Sequence, residues 1–285
     1  MDKKSAAIIA VLGGILIFLL KLGSYYMSGS VALLSDALES IVNIVASGLM
    51  LYSVRISEMP PDEEHEYGHE KIENITCLIE GMFIFTAALF IIHSALEKIS
   101  QPPVLNQIEG AIAVNLLATG MNAGLSWMLI RTADAKASIA LEGDAKHLLS
   151  DVVTSVGVAI GLFIAQTTGW YLADPVIAII VALLIIRMGV NLVIKAGRGL
   201  MDERSPESEE KIMEILESHN YMFVNFHDVK TRKSGSRVFA ELHLSVDGAL
   251  SVQEAHDLTD HLEEDLKEEL PELEITIHIE PPGAM

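Results

Sequence analysis

Two apolar stretches of the sequence each carry a stripe of polar residues at helical spacing. The polar positions follow one another at i, i+3 and i+7, as Asp36, Glu39 and Asn43 in the first stretch and as Asp144, His147 and Asp151 in the second. At about 100° per residue, this spacing places each trio on one side of a helix. A charged side chain at the bilayer centre costs at least about 2.5 kcal/mol, so those present usually face the protein interior and serve transport.

Two such stripes facing each other would form a binding site for a divalent cation. Glu39 and Asn43 from one helix, with His147 and Asp151 from the other, would present oxygen and nitrogen ligands in two i, i+4 pairs. The alternative is that these residues only form hydrogen bonds that fix the packing of the helices. Neutral side chains would serve packing, whereas three of these four are ionisable, so the sequence favours the metal site. The first residue of each stripe is expected to orient the ligands or to lie at the mouth of the site.

A hydrophilic loop contains a second candidate set, Asp62, His65 and His69. Residues 65–69 read H-E-Y-G-H, which formally matches the zincin pattern H-E-x-x-H and would indicate a membrane metalloprotease. That pattern needs a helix, and Gly68 together with two upstream prolines disfavours one. We therefore favour a divalent-ion site at the cytoplasmic rim, with a merely solvated acidic loop as the alternative.

Histidines recur in the last third of the chain. They are His227, His243, His256 and His278, with Glu280 two residues after the last of them and hence on the same face of a strand. Histidine is the commonest metal ligand, so four in a short acidic segment favour one or more metal sites. Each one taken singly is as often an ordinary surface or core residue. His93, His219 and His261 fall outside this pattern and are interpreted as ordinary.

Composition places these candidate sites in a membrane protein. The chain has 285 residues, 51% of them hydrophobic, and a mean hydropathy of +0.40, which is too apolar for an ordinary soluble domain. A net charge of −20 excludes a nucleic-acid partner, because binding phosphates needs a basic face. With Cys77 as the single cysteine, neither a disulfide framework nor a thiolate metal cluster can form.

Six stretches are close to the length of about 20 residues that crosses a bilayer. They are residues 6–27, 31–54, 76–96, 110–130, 137–166 and 174–194, with polar breaks between them that include residues 131–136. An even number of spans places both termini on one side. Lysine and arginine concentrate on that side, so the sequence predicts a multi-pass protein with both termini in the cytoplasm.

The chain changes character after residue 202. Residues 203–285 contain 20 acidic and 7 basic residues, a net charge of −13, and no long apolar run. Their pattern predicts a helix at 207–218, strands at 224–232 and 237–246, a helix at 252–269 and a strand at 275–279. The predicted fold is therefore an all-α six-helix membrane bundle over residues 1–202, followed by a small cytoplasmic α+β domain of αββαβ order.

The sequence resembles the cation diffusion facilitator family over nearly its whole length. The resemblance rests on His147-Leu-Leu-Ser-Asp151, on Tyr-Gly-His-Glu-Lys at 67–71, and on the tail segments His227-Asp228 and His278-Ile279-Glu280-Pro281. It implies a homodimer in a prokaryotic cytoplasmic membrane that exchanges divalent metal for protons, with a metallochaperone-like cytoplasmic domain. The rival class is a metal sensor or assembly protein that binds ions without moving them.

The resemblance also implies three sets of metal ligands. These are a transport site (Glu39, Asn43, His147 and Asp151), a loop site (Asp62, His65 and His69) and cytoplasmic sites (His227, His243, His256, His278 and Glu280, the last standing where relatives have aspartate). It further implies a pairing of Lys71 with Asp202. Zinc-moving relatives present His or Asp, then Asp, in the second span, whereas this chain has Glu39 and Asn43. The transported ion is therefore left open among Zn, Mn, Fe(II), Co and Ni.

Overall fold

The computed structural model describes residues 1–28, 31–100, 109–170 and 172–283. These residues form two compact units, Met1–Gly197 and Arg198–Met285. The first unit is helical and the second combines helices with a small sheet, which confirms the predicted fold class.

The described residues of the first unit form six long helices. They are α1 (Lys3–Ser28), α2 (Val31–Ser57), α3 (Ile72–Ser100), α4 (Glu109–Lys136), α5 (Ile139–Thr168) and α6 (Ala173–Leu200). Within the described ranges, four of them contain a segment long and apolar enough to cross a membrane: Lys3–Gly23, Glu39–Ser57, Ile72–Glu97 and Pro175–Leu200. Helices α4 and α5 are about equally long, and α5 carries the second polar stripe.

The predicted polar break at residues 131–136 is wrong. These residues continue α4 to Lys136, and the connection to α5 is reduced to Ala137 and Ser138, with Ala137 at a φ of 48°. The hydroxyl of Thr132 donates to the carbonyl of Met128 at 2.9 Å and is thereby satisfied within the helix. Polar side chains at the end of a long helix can reach water, so they need not end it.

A buried carboxylate ties one end of the bundle together. Glu73, at the start of α3, is fully buried and accepts hydrogen bonds from Lys3 Nζ (3.0 Å), Ser57 Oγ (2.8 Å) and Ser138 Oγ (2.6 Å). These partners belong to the start of α1, the end of α2 and the turn between α4 and α5. A buried charge that is paired and hydrogen-bonded in this way fixes the helix ends relative to one another.

The second unit is an αββαβ domain. It consists of α7 (Pro206–Ser218), β1 (Asn225–Ser234), β2 (Arg237–Ser245), α8 (Val252–Glu269) and β3 (Leu273–Glu280). The sheet order is β1-β2-β3, with β1 and β2 antiparallel and β2 and β3 parallel.

The sheet of the second unit has a helix-covered face and an open face. Leu242 and Leu244 of β2 pack with Ile212 of α7 and with Leu262 and Leu266 of α8 in one apolar core. Since side chains alternate across a strand, the residue between the two β2 leucines projects to the other face. That residue is His243, and the strand register places His227, His278 and Glu280 on the same face.

Removing the N-cap of α8 is expected to loosen that helix locally. Ser251 Oγ accepts from the backbone N–H of Glu254 at 3.2 Å, while the Glu254 carboxylate accepts from the Ser251 backbone N–H at 2.8 Å. Ser251→Ala should cost about 1 kcal/mol. Amide hydrogen exchange in the full chain should therefore accelerate about fivefold in the first turn of α8. The adjacent Val252, 90% exposed, gives the control Val252→Ala; equal exchange in both variants would contradict the capping role.

Candidate metal centre

Three of the four predicted transport-site residues meet between α2 and α5. Asn43 of α2 donates through Nδ2 to Asp151 Oδ2 of α5 at 2.5 Å, and its Oδ1 lies 3.0 Å from His147 Nε2. Asn43 and His147 are buried and Asp151 is half-buried. Because a carboxylate only accepts, the Asn43 oxygen must face the imidazole, so Nε2 of His147 carries the hydrogen of that bond.

The remaining residues of the two stripes occupy different environments. Glu39 lies one turn before Asn43 on α2 and is exposed. Asp144, one turn before His147, is fully buried, and both of its oxygens lie within 3.0 Å of Ser47 Oγ on α2. The Asp36 side chain lies outside the described residues. Asp144 therefore holds α5 against α2 next to the ligands.

A carboxylate that the sequence did not single out borders the transport site. Glu80 of α3 is 1% exposed, and its Oε2 lies 3.5 Å from His147 Nδ1. Neither carboxylate oxygen, nor His147 Nδ1, has a hydrogen-bond partner among the described residues. Space for the carboxylate comes from Gly143 of α5, where an added Cβ would lie 3.2 Å from Glu80 Cγ. In the sequence, Glu80 is a single carboxylate within the apolar part of α3, and this feature alone could have indicated a functional residue.

The loop site is assembled by Asp62. One carboxylate oxygen accepts from the backbone N–H of His65 at 2.7 Å and lies 3.3 Å from His65 Nδ1, while the other lies 3.3 Å from His69 Nε2. The two imidazole rings are 4.5 Å apart. The backbone hydrogen bond from His65, more than any other contact, holds the pKa of Asp62 below its ordinary value. The ligand atoms of all three residues lie within 4.8 Å of one another, so the predicted set is brought together.

The zincin interpretation of this loop needs a helix that the structure does not have there. Residues 65–69 form turns and bends, and α3 begins only at Ile72. Gly68 has a φ of 86°, a conformation outside any right-handed helix. Without the helix, the two histidines and Glu66 do not adopt the zincin arrangement.

The cytoplasmic histidines form a row across the open face of the sheet. His227 of β1 is opposite His243 of β2, which is opposite His278 of β3. The ring centroids are 5.2 Å apart for the first pair and 4.8 Å for the second. Glu280 lies 3.3 Å from His243 Nδ1 and 3.5 Å from His227 Nε2. Three of the predicted cytoplasmic ligands, His227, His243 and Glu280, thus converge within 4.8 Å, with His278 beside them.

The surroundings of Glu280 in this row favour the ionised form of its carboxylate. Partial burial acts to raise its pKa, but hydrogen bonds from Ser245 Oγ and His243, together with the charge of His227, hold the pKa below its ordinary value. An ionised carboxylate between imidazoles is a suitable ligand for a divalent transition-metal ion.

The structure describes the surroundings of two further residues that the resemblance singled out in the second unit. His256 lies on the exposed side of α8, 3.4 Å from Asp260, and does not join the row within this chain. Asp202 lies 3.3 Å from Arg232 Nη1. Its pairing with Lys71 stays a prediction.

Comparison with known proteins supports the fold class and shows the family of the chain. Residues 7–201 match the family described as the cation efflux transmembrane domain, and residues 204–282 match the cation efflux protein cytoplasmic domain. The transporter sll1263 of Synechocystis is 38% identical over 92% of this chain and 85% of its own length. The cation-efflux pump FieF of Serratia proteamaculans is 32% identical over 98% of this chain and 92% of its own.

A solved structure of the metal-bound C-terminal domain of the CzcD transporter from Thermotoga maritima is 32% identical, covering 28% of this chain and 92% of that chain with a TM-score of 0.26. The family matches together cover most of the chain, in the same order as the membrane bundle and the αββαβ unit. The chain is therefore an integral membrane protein of the cation diffusion facilitator family of cation-efflux proteins.

Proposed function

We propose that the chain exports divalent transition-metal cations from the cytoplasm in exchange for protons. The observation that carries this proposal is the buried contact of Asn43, His147 and Asp151 between α2 and α5. An amide oxygen, an imidazole and a carboxylate are suitable ligands for such a cation, and their burial in a membrane unit removes the ion from water. Glu39 is placed one turn away, where it can join the ligands when the ion enters.

Protons and metal compete for the same lone pair of His147. In the described arrangement, Nε2 donates its hydrogen to Asn43 Oδ1, so this nitrogen cannot bind an ion at the same time. When Nδ1 also carries a hydrogen, metal binding at Nε2 releases the Nε2 proton to solvent and leaves the other hydrogen on Nδ1, because a ligand coordinates only through a deprotonated nitrogen. Protons entering from the outer side restore the hydrogen bond and expel the ion. The exchange is a shift between two conformations of the α2–α5 pair, with no covalent chemistry.

Glu80 gives this exchange a second step. Once metal occupies Nε2 of His147, the remaining ring hydrogen lies on Nδ1, which faces Glu80 at 3.5 Å. A movement of a few tenths of an ångström completes a carboxylate–histidine–metal arrangement, which orients the ring and raises its basicity. Glu80 is thus a positioning residue for His147. It also supplies a negative charge next to the site, where the Asn43 ligand is neutral.

The ligand set favours ions that accept several oxygen ligands. The site offers three oxygen ligands and one nitrogen, from Asn43, Asp151, Glu39 and His147, a mixture that can coordinate Mn(II), Fe(II), Co and Ni as well as Zn. The relative from Serratia is called a cation-efflux pump without a specified metal. We infer that the site moves more than one of these ions.

The loop site and the histidine row complete the proposal. Both consist of imidazoles around one carboxylate, and we infer that each binds a divalent ion. We further infer that both sites and both termini of the chain lie on the cytoplasmic side of the membrane. The second unit matches a family domain whose name refers to dimers. Metal bound to the histidine row would link two copies when cytoplasmic metal is high.

Metal-driven proton movement in sealed inside-out vesicles tests the function. With a proton gradient established, addition of Zn, Mn, Fe(II), Co or Ni should release vesicular protons and load the metal, in a competition series that ranks the ions. Glu66→Gln should leave the flux unchanged, whereas a zincin would lose its activity. Metal binding with no proton-coupled flux for any of the five ions would identify a sensor or assembly protein and contradict the proposal.

A further inference from the structure

The second unit contains a further cluster of possible metal ligands on the helix side of its sheet. His219 ends α7 as its C-cap residue, and His261 and Asp265 lie one turn apart on α8. His219 Nε2 is 2.8 Å from Asp265 Oδ2, and His261 Nε2 is 3.8 Å from the same oxygen. One ligand atom from each of the three residues lies within 4.8 Å of the others. The histidine row occupies the opposite face, so the two sets are separate.

The orientation of His219 is set by the backbone. Its Nδ1 lies 2.9 Å from the carbonyl oxygen of Ile215, which can only accept, so Nδ1 carries a hydrogen. Ser218 Oγ, itself donating to that carbonyl at 2.7 Å, lies 3.0 Å from the same nitrogen. In neutral His219 the lone pair is therefore on Nε2, directed at Asp265. A histidine whose second nitrogen donates to a backbone carbonyl is the usual state of a metal ligand.

The apolar core holds the two helices that present these ligands. Leu216 in the last turn of α7 is fully buried and packs with Leu262 and Leu266 of α8. The two α8 leucines directly follow His261 and Asp265 in the sequence. His219 is only 17% exposed, and the ring of Tyr221 stacks on it with centroids 6.2 Å apart. The cluster therefore does not depend on a mobile loop for its geometry.

The spacing of the ligand atoms fits a bound ion. At 2.8 Å, a hydrogen on His219 Nε2 bridges to Asp265 Oδ2 when the ring is doubly protonated, and a metal ion bound at Nε2 would replace that hydrogen. Ligands at the usual distances from a tetrahedral zinc ion are separated from one another by about 3.3 Å. The two distances to Asp265 in this cluster, 2.8 and 3.8 Å, lie on either side of that value.

We propose that His219, His261 and Asp265 form a divalent-metal site that joins the C-terminus of α7 to α8. Two imidazoles and one carboxylate take Zn, Co or Ni in preference to Mg or Ca. Three protein ligands leave one coordination position to water, and the strongly acidic unit attracts cations to the site. The proposal is independent of transport, because the bound ion clamps two helices of the second unit and no transport-site residue takes part.

Metal counting on the full chain in detergent tests the site. Chains stripped of metal and reloaded with zinc should retain one fewer zinc ion after His261→Gln, and likewise after Asp265→Asn. The controls are His93→Gln, another exposed histidine with a carboxylate at i+4, and Glu264→Gln, which removes the same charge from the neighbouring position. Both controls should retain the wild-type zinc content, and every variant should keep the metal flux in vesicles.

A second measurement needs no variant. Zinc should slow amide hydrogen exchange at residues 218–222 and in the turn of α8 that carries the two ligands, in the wild-type full chain. Loaded with cobalt instead, the site should add a tetrahedral absorption band that disappears in His261→Gln. Unchanged zinc content in both ligand variants, or zinc that leaves exchange at residues 218–222 unaltered, would overturn the proposal. Neither result would affect the proposal of transport, which rests on α2 and α5.

Discussion

Asp151→Ala is expected to abolish metal-driven proton release in inside-out vesicles. The variant removes the carboxylate that accepts from Asn43 and leaves His147 and Asn43 as the buried ligands, with Glu39 one turn away. Loss of a residue that supports a ligand costs about 10- to 100-fold in metal affinity, so loss of the ligand itself should cost at least about 100-fold. Flux should fall to the level of empty vesicles at metal concentrations that saturate the wild-type protein.

Asp134→Ala is the matched control for this variant. Asp134 is an exposed carboxylate near the end of α4 in the same unit, and its removal should leave flux and metal affinity unchanged. His147→Ala should behave as Asp151→Ala, since it removes the group at which metal and proton compete. Substantial flux in both ligand variants, with correctly folded protein in the vesicles, would show that the ion takes another route.

Glu80→Gln is expected to lower metal affinity by about 10- to 100-fold while the protein still folds. Glutamine has nearly the same shape and can still accept from His147 Nδ1, but it lacks the negative charge that stabilises the metal-bound form. The loss should therefore appear in metal affinity and in the pH dependence of flux. The melting temperature in detergent should stay the same or rise, because an unpaired buried carboxylate is replaced by a neutral group.

Glu142→Gln is the matched control for Glu80→Gln. Glu142 lies in the first turn of α5 next to the site, but it pairs with Lys146 at 2.7 Å and Lys195 at 2.6 Å and does not contact His147. Its replacement should leave metal affinity and the pH profile of flux unchanged. Wild-type affinity and pH dependence in Glu80→Gln would show that this carboxylate does not act on His147.

The sequence was sufficient to predict the fold and to find most of the candidate ligands, because both depend on local periodicity. The i, i+3, i+7 stripes placed Asn43, His147 and Asp151 on facing helix sides, and strand alternation placed His278 and Glu280 on one face. Helix ends were harder to predict. Residues 131–136 look like a polar break but continue α4, since side chains at the end of a helix reach water.

Residues brought together only by packing between helices could not be predicted. Glu80 is one charged residue in an apolar helix, and its relation to His147 depends on the way α3 packs against α5 and on the space left by Gly143. His219 and His261 are 42 positions apart in the sequence, and only the packing of α7 on α8 makes them neighbours of Asp265. His256 illustrates the converse, since its spacing indicated a ligand while the fold places it on an exposed helix face.

Anomalous scattering from the cobalt-loaded full chain locates the bound ion itself. We expect a peak between α2 and α5 at about 2.1 Å from His147 Nε2 and from an oxygen of Asp151, and we expect it to disappear in Asp151→Ala. Peaks confined to the loop site and the second unit, in a protein that moves cobalt at the wild-type rate, would contradict the proposed transport site.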